Sequence, residues 1–441
     1  MYTCFRRHRF VERSAAMRAA TRMAMLFALL LGAHTPYAAP LSLDQAERLA
    51  LASDAGLVAR RQEAEALRED AVADGQLPDP ELTAAAFNFP VDSFDFDQEP
   101  ITQLRVGIRQ RVPGGEERAV RSALTRSRAA VMDEDALLRV RDVLRAVRLA
   151  MIELAQRQDE ARELQTSVAL LAELERASVA GYRQGRGAQQ DVLRARLEQQ
   201  VLRDRLAANA AAQETAQATL ERWVGPAARN AELALAATAI LAPERSGEAN
   251  ALAAHPRLRV LNAVTEVADR GVALARTAYA PDWSLEVTYG ARDELSPLGD
   301  RPDFLTAAVS VQLPLFQADR QDRRIAARSG EQEAARARHL DELRELEQML
   351  RVERARESEL EARLRLHDEA LLPLARESVA AARAGLASDV VDYAEVVRAA
   401  LAEIELRLSR DELGWRLAAS RIELAWLLGD ARSAAHEEAL R

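Results

Sequence analysis

The chain has 441 residues, of which 4% are aromatic and 29% charged, with a formal net charge of −9 and arginine as its only basic residue besides histidine. That acidic balance argues against a nucleic-acid partner, because binding a phosphate backbone calls for a basic surface. Few aromatics and much Ala, Leu, Arg and Glu favour long helices over several compact cores.

At the N-terminus Arg6, Arg7, Arg9, Arg13, Arg18 and Arg22 precede an apolar run over residues 23–33, and the small pair Ala38-Ala39 follows. A basic segment, a short apolar core and small residues describe a secretory signal peptide over residues 1–39. The run is too short to span a bilayer comfortably. Its removal takes away six Arg and one Glu, leaving a net charge of −14. The single cysteine, Cys4, precedes the apolar run, so it is no lipidation site, and the exported chain has no disulfide. Elsewhere no stretch approaches 18 consecutive apolar residues, which excludes transmembrane helices.

Residues 42 to 76 read as one helix, with Ser42 as its cap and Leu43, Ala46, Leu49, Ala50, Leu57 and Ala64 at near-helical spacing. Gly75 and Pro78 stop it. The period then changes to two. Residues 81–89 alternate weakly; residues 102–112 place Leu104, Val106 and Ile108 on one face and Gln103, Arg105, Arg109 and Arg111 on the other. Residues 283–291 set Trp283, Leu285, Val287 and Tyr289 against Ser284, Glu286 and Thr288, and residues 304–313 repeat the pattern. Each segment is about as long as a tilted strand must be to cross a bilayer, roughly 9–11 residues. Acidic loops join the strands in pairs: Asp92, Asp95, Asp97 and Glu99 in the first, Asp293, Glu294 and Asp300 in the second. Neither has the ligand spacing of a calcium loop.

Neither Gly nor Pro occurs from Glu116 to Ala180, or again from Ala188 to Val224. At about 1.5 Å per residue the longer rod reaches roughly 100 Å, beyond any compact domain. Leu137, Val140, Leu144, Val147, Met151 and Leu154 step by threes and fours, which is a coiled-coil seam. A second rod runs from Asp319 to Ala384, with Gly330 and Pro373 expected to interrupt and bend it, and returns from Ser388 to Leu428.

The order Pro-Asp, strand, acidic loop, strand ending at Pro, long helix, Gly-marked turn and returning helix thus occurs twice, about 200 residues apart, so we read an internal duplication. The expected organisation is residues 40–230 as a first repeat, 231–250 as a linker, 251–430 as a second repeat and 431–441 as a tail. The fold class is mainly α with a small β part. An open sheet cannot stand in a membrane, and four strands are fewer than the eight of the smallest transmembrane barrels, so copies of the chain must close one barrel jointly.

These features, with Leu77-Pro-Asp-Pro-Glu-Leu82, Gln110-Arg-Val-Pro-Gly-Gly115, Gly181-Tyr-Arg-Gln-Gly185, Asp191-Val-Leu193 and Val311-Gln-Leu-Pro-Leu-Phe316, resemble the TolC-like outer-membrane factor family from about Leu41 to Gly429. The resemblance implies a homotrimer in which four strands per chain build a shared transmembrane β-barrel above a long barrel of antiparallel helices reaching into the periplasm. It implies a passive duct of a tripartite efflux system, working with a periplasmic adaptor (membrane fusion protein) and an inner-membrane pump, held in outer-membrane lipid of a Gram-negative bacterium. The Pro-Gly-Gly and Leu-Phe-Gln-Ala-Asp-Arg-Gln segments resemble the heavy-metal branch, whose pumps are of the resistance-nodulation-division type; the cargo would be metal cations or drugs.

By the same resemblance, the turns at Gly185 and Gly385 are the periplasmic tips where an adaptor docks and the channel narrows. Tyr182, Gly185 and Asp191 fit the family spacing. The second half departs from it, with Arg383 at the Tyr position, Val391 six beyond Gly385, and carboxylates at Asp389 and Asp392. A carboxylate ring at a constriction would favour cations and could be held shut by arginines, for which Arg186 is a candidate. Asp191 has a second reading as a residue complementing a helix start. His255, His339, His367 and His436 are scattered, so no metal site is expected. No catalytic constellation appears, and neither enzyme activity nor a cofactor is expected. The competing architecture is a periplasmic coiled-coil adaptor or scaffold without a barrel.

Overall fold

A computed structural model describes residues 40–438 apart from Asp97, Asn230, Ala234, Ala242, residues 244–246, residues 293–301 and Asp389. The expected signal peptide and most of the second acidic loop therefore lie outside the described residues.

The first expected helix is two. Helix α1 (Leu43–Ser53) opens on Ser42, whose hydroxyl accepts from the Gln45 N–H at 3.3 Å. At Asp54 the backbone turns extended, and its carboxylate accepts from the Leu57 N–H at 2.6 Å and from Arg139 at 2.7 Å, opening α2 (Ala55–Asp74). Apolar spacing runs unbroken through Asp54 because both helices lay the same face on the same neighbour. Periodicity reports the face, and the cap decides continuity.

Helix α3 (Glu117–Arg183) is 67 residues long. Its seam residues Val140, Leu144, Val147, Met151 and Leu154 are buried. Helix α4 (Gln189–Val224) returns along it, as Glu160 with Asn209 and Glu175 with Arg196 record. After the short α5 (Glu248–Ala253) and α6 (Pro256–Thr277), α7 (Gln321–Leu366) begins the second rod. Gly330 does not interrupt it: one exposed glycine costs about 1 kcal/mol, too little to break a 46-residue helix. Pro373 does leave its mark. A wide π turn over His367–Leu371 absorbs its missing N–H and ring bulk, and α8 (Leu372–Ala387) carries the rod on. Helix α9 (Tyr393–Leu428) returns, and α10 (Ala431–Glu438) follows.

Strands β1 (Glu81–Phe87), β2 (Gln103–Val112), β3 (Asp282–Ala291) and β4 (Phe304–Gln312) form one antiparallel sheet in the order β1-β2-β3-β4. The helices beneath keep that lateral order, with α3 packed on α2 and α6, and α6 on α7. Thus β1 and α2 make one edge of the wall, β4 and α7 the other.

Segments around Leu233, Leu235, Ala237 and Ile240, with α1 and α10, wrap the middle of α3. Leu41 bridges to Leu233, and Leu233, Leu235, Ala237 and Ile240 cover Ile152, Ala155, Trp415, Ala418 and Ile422. Beneath this belt lies a buried ionic cluster. Arg148 donates to Glu47 and Asp430, each at 2.6 Å, and Arg141 donates to Glu437 at 2.9 Å. It ties α1, α3 and α10 together.

Candidate functional site

Pairing register sorts the sheet into two faces. Leu82, Ile108, Val287 and Ala307 lie in one row; Ala84, Val106, Tyr289 and Leu305 in the next, and Val112, Trp283 and Val311 in another. All are apolar, and the face they form is open, with Leu82 77% exposed. The opposite face carries Thr83, Arg105, Arg109, Arg111, Glu286, Thr288 and Ser310. On it Arg109 donates to Glu286 at 2.5 Å and Arg111 to Asp282 at 2.9 Å. An exposed sheet with an apolar side, a charged side and two unpaired edges cannot be stable alone in water. Among the described residues no helix is long and apolar enough to cross a membrane.

At the far end of the rods are the two turns. In the first, Gly185 sits at φ +74°, a conformation in which side chains are strained. Its N–H donates to the Tyr182 carbonyl at 3.0 Å, and the Arg186 N–H to the Gly181 carbonyl at 2.9 Å, so the last carbonyls of α3 are satisfied. Tyr182 and Arg186 are exposed. Asp191 is only 8% exposed, and its carboxylate accepts from the Ala188 N–H at 3.2 Å, inside the first turn of α4.

The second turn is built differently. Gly385 lies within α8, and the reversal comes after Ser388, with the Val390 N–H donating to the Gly385 carbonyl at 2.8 Å. Asp392 caps α9, accepting from the Glu395 N–H at 2.9 Å, and is exposed. Asp389 lies outside the described residues. Sequence spacing missed the side chain that joins the turns: the Tyr393 ring lies so close on Gly181 that a Cβ there would meet it at 2.5 Å, and it also borders Gly187. No local spacing could have found it, because Gly181 and Tyr393 belong to different hairpins.

The charged groups lining the groove between the rods have structural partners. A groove of about 480 Å³ between α3, α4 and α9 is lined by Asp159, Glu160, Arg205, Glu405 and Trp415, but Arg205 bridges to Glu405 at 2.6 Å and Glu160 accepts from Asn209. Burial raises the Asp159 carboxyl above its usual range, against the pull of Arg162. His255 is buried against Trp426, its Nδ1 accepting from the Arg257 N–H, and burial with nearby Arg141 and Arg257 pushes it down to about 3. Among the described residues no group of His, Cys, Asp and Glu could hold a metal ion.

No family profile matches the sequence, and no curated protein matches it. Solved structures do. A CusC structure described for folding and transmembrane channel formation is 14% identical with a TM-score of 0.74, over 88% of this chain and 92% of that one. The Vibrio cholerae outer membrane protein VceC is 16% identical with a TM-score of 0.72, over 88% and 96%. The open Neisseria gonorrhoeae MtrE outer membrane channel is 14% identical with a TM-score of 0.74, over 88% of both chains. A four-stranded sheet standing on a rod of antiparallel helices is the architecture these structures share with the chain. It has the fold of the TolC-like outer-membrane channels.

Proposed function

We propose that three copies of the chain form the outer-membrane duct of a tripartite efflux system, with a twelve-stranded barrel in the membrane and the helices extending into the periplasm. One observation carries this: the sheet presents an uncovered apolar face, a charged face and two open edges. Lipid suits the first, a water-filled lumen the second and neighbouring copies the third. Trp283 and Tyr289, six residues apart on the apolar face, suit the two interfacial girdles of such a barrel. Residues 1–39 would direct export, and the twofold order of elements would derive from duplication.

The tips formed by Tyr182, Gly185, Arg186, Asp191, Gly385, Asp389 and Asp392 would meet a periplasmic adaptor and narrow the lumen. Asp392 and Arg186, both exposed, are the pair we assign to the constriction, whereas buried Asp191 serves the start of α4. The resistance-nodulation-division pump would supply energy and selectivity; metal cations or drugs would be the cargo. The duct itself would catalyse nothing and carry no cofactor. A soluble adaptor with the same hairpins would leave the apolar sheet face in water, which disfavours that alternative. Reconstitution into planar bilayers tests the proposal: stable cation-preferring channels support it, and a protein that neither inserts nor conducts refutes it.

A further inference from the structure

The two edges of the wall carry charges that their own helices disfavour. Helix α2 ends toward the sheet with Glu69, Asp70 and Asp74 and no basic residue in its last turn, where its dipole is negative. Helix α7 starts just below the sheet with Arg320 at its cap and Arg323 and Arg324 in its first turn, where the dipole is positive; the one acid of that turn, Asp322, is engaged by the Tyr279 hydroxyl, and Arg323 pairs with Asp319. Glu69, Asp70, Arg320 and Arg324 are all exposed, and among the described residues none of the four has an ion-pair partner. These segments stand at one height, because α2 leads up into β1 and α7 leads down from β4.

Apolar residues accompany the charges at both edges. On the β4 side Leu315 follows a tight turn, its N–H donating to the Leu313 carbonyl, and Phe316 next to it is 87% exposed. On the β1 side Leu77 and Val72 are exposed at the same level.

We infer that Arg320 and Arg324 at the start of α7 pair with Glu69 and Asp70 at the end of α2 of the next copy, with Phe316 wedged against that copy's Leu77 beneath the β4–β1 joint. This seam rests on the ring proposed above. Because β1 and β3 run toward the loops while β2 and β4 run back, β4 meets a neighbouring β1 antiparallel, and the helices below are brought together in the same step. The opposite charges then offset the dipole mismatch each helix carries alone, and they fix which edge joins which.

The test reverses the charges and reads the oligomer of the full exported chain on semi-native gels and by light scattering in detergent. Arg320→Glu with Arg324→Glu, and Glu69→Arg with Asp70→Arg, should each cost the oligomer its resistance to detergent, and all four together should restore it. Each reversal suits its own helix dipole, so loss of the oligomer does not trace to a weakened helix. The milder Arg324→Gln should leave a folded protein whose dissociation depends less on salt than the wild type's. An oligomer indifferent to every charge change overturns the seam and leaves the ring standing; a wild-type chain that is monomeric overturns both. Phe316→Ala that releases the protein from vesicles with its oligomer intact would assign Phe316 to lipid and overturn the wedge.

Discussion

Arg148 donates from Nε to Glu47 at 2.6 Å where their side chains are 5% and 0% exposed, and it reaches Asp430 with its other arm. Burial alone would make that guanidinium easier to deprotonate, but Glu47 and Asp430 outweigh it and hold its pKa above the usual value. Breaking such a pair strands a charge out of water, at a cost of about 3–5 kcal/mol. Arg148→Met is therefore expected to lower the free energy of unfolding by about that amount in a denaturant titration. A change within about 0.5 kcal/mol would mean that the belt's ionic cluster holds nothing together.

Stability should fall on acidification in two windows that overlap only below about pH 4. His255 has a folded pKa of about 3, below its ordinary 6.5, so as pH falls the unfolded chain takes up the proton first and stability is lost from near 6.5 downward. Asp54 and Asp430 are pushed up by burial but pulled further down, by Arg139 and the Leu57 N–H and by Arg148 and Ser433 respectively. Their contribution is present above the ordinary carboxylate pKa, about 4, and is lost as pH falls through their folded values. Unfolding free energies measured against pH should show both slopes, and His255→Asn, which keeps a capping acceptor, should remove only the first. A pH-independent stability between 6.5 and 4 in the wild type would contradict this.

Gly181→Ala should spread the two turns, since the new methyl would meet the Tyr393 ring at 2.5 Å. We expect higher single-channel conductance, reversed by adding Tyr393→Ala. Unchanged conductance would show that the contact does not set the aperture.

At the proposed constriction, charge can be separated from capping. Asp392→Ser keeps an acceptor for the Glu395 N–H and removes the carboxylate, so cation preference should fall while stability stays within about 0.5 kcal/mol. Asp191→Ala should do the reverse, costing about 0.3–1 kcal/mol at the start of α4 with ion preference kept. Reversal potentials across a salt gradient read the first effect and denaturant titration the second.

The sheet faces give a paired prediction. Val287→Arg, on the apolar face in mid-strand, should reduce folding into vesicles by about 2–4 kcal/mol, whereas Thr288→Arg on the polar face should be tolerated. Equal effects would contradict the assignment of faces.

Much of this was legible because period and punctuation are global signals. The first rod and its return followed from runs without Gly or Pro, the second pair from the repeated order of elements, and the sheet faces from alternation that pairing then aligned row by row. What escaped was settled by single hydrogen bonds. Asp54 splits one amphipathic stretch by capping from within, and the second turn reverses after Ser388, past Gly385. Tyr393 could not be singled out because its partner, Gly181, is 212 residues earlier in the chain. The ionic cluster under the belt was equally hidden: Glu47, Arg148 and Asp430 are three among many charges until the belt closes over them.

Imaging of single particles of the purified chain in lipid nanodiscs tests the shared wall most directly. Three copies around a hollow axis are expected, with β4 of each beside β1 of the next and the apolar face toward lipid. A particle made of one copy, with that face covered by its own chain and no central passage, would contradict it.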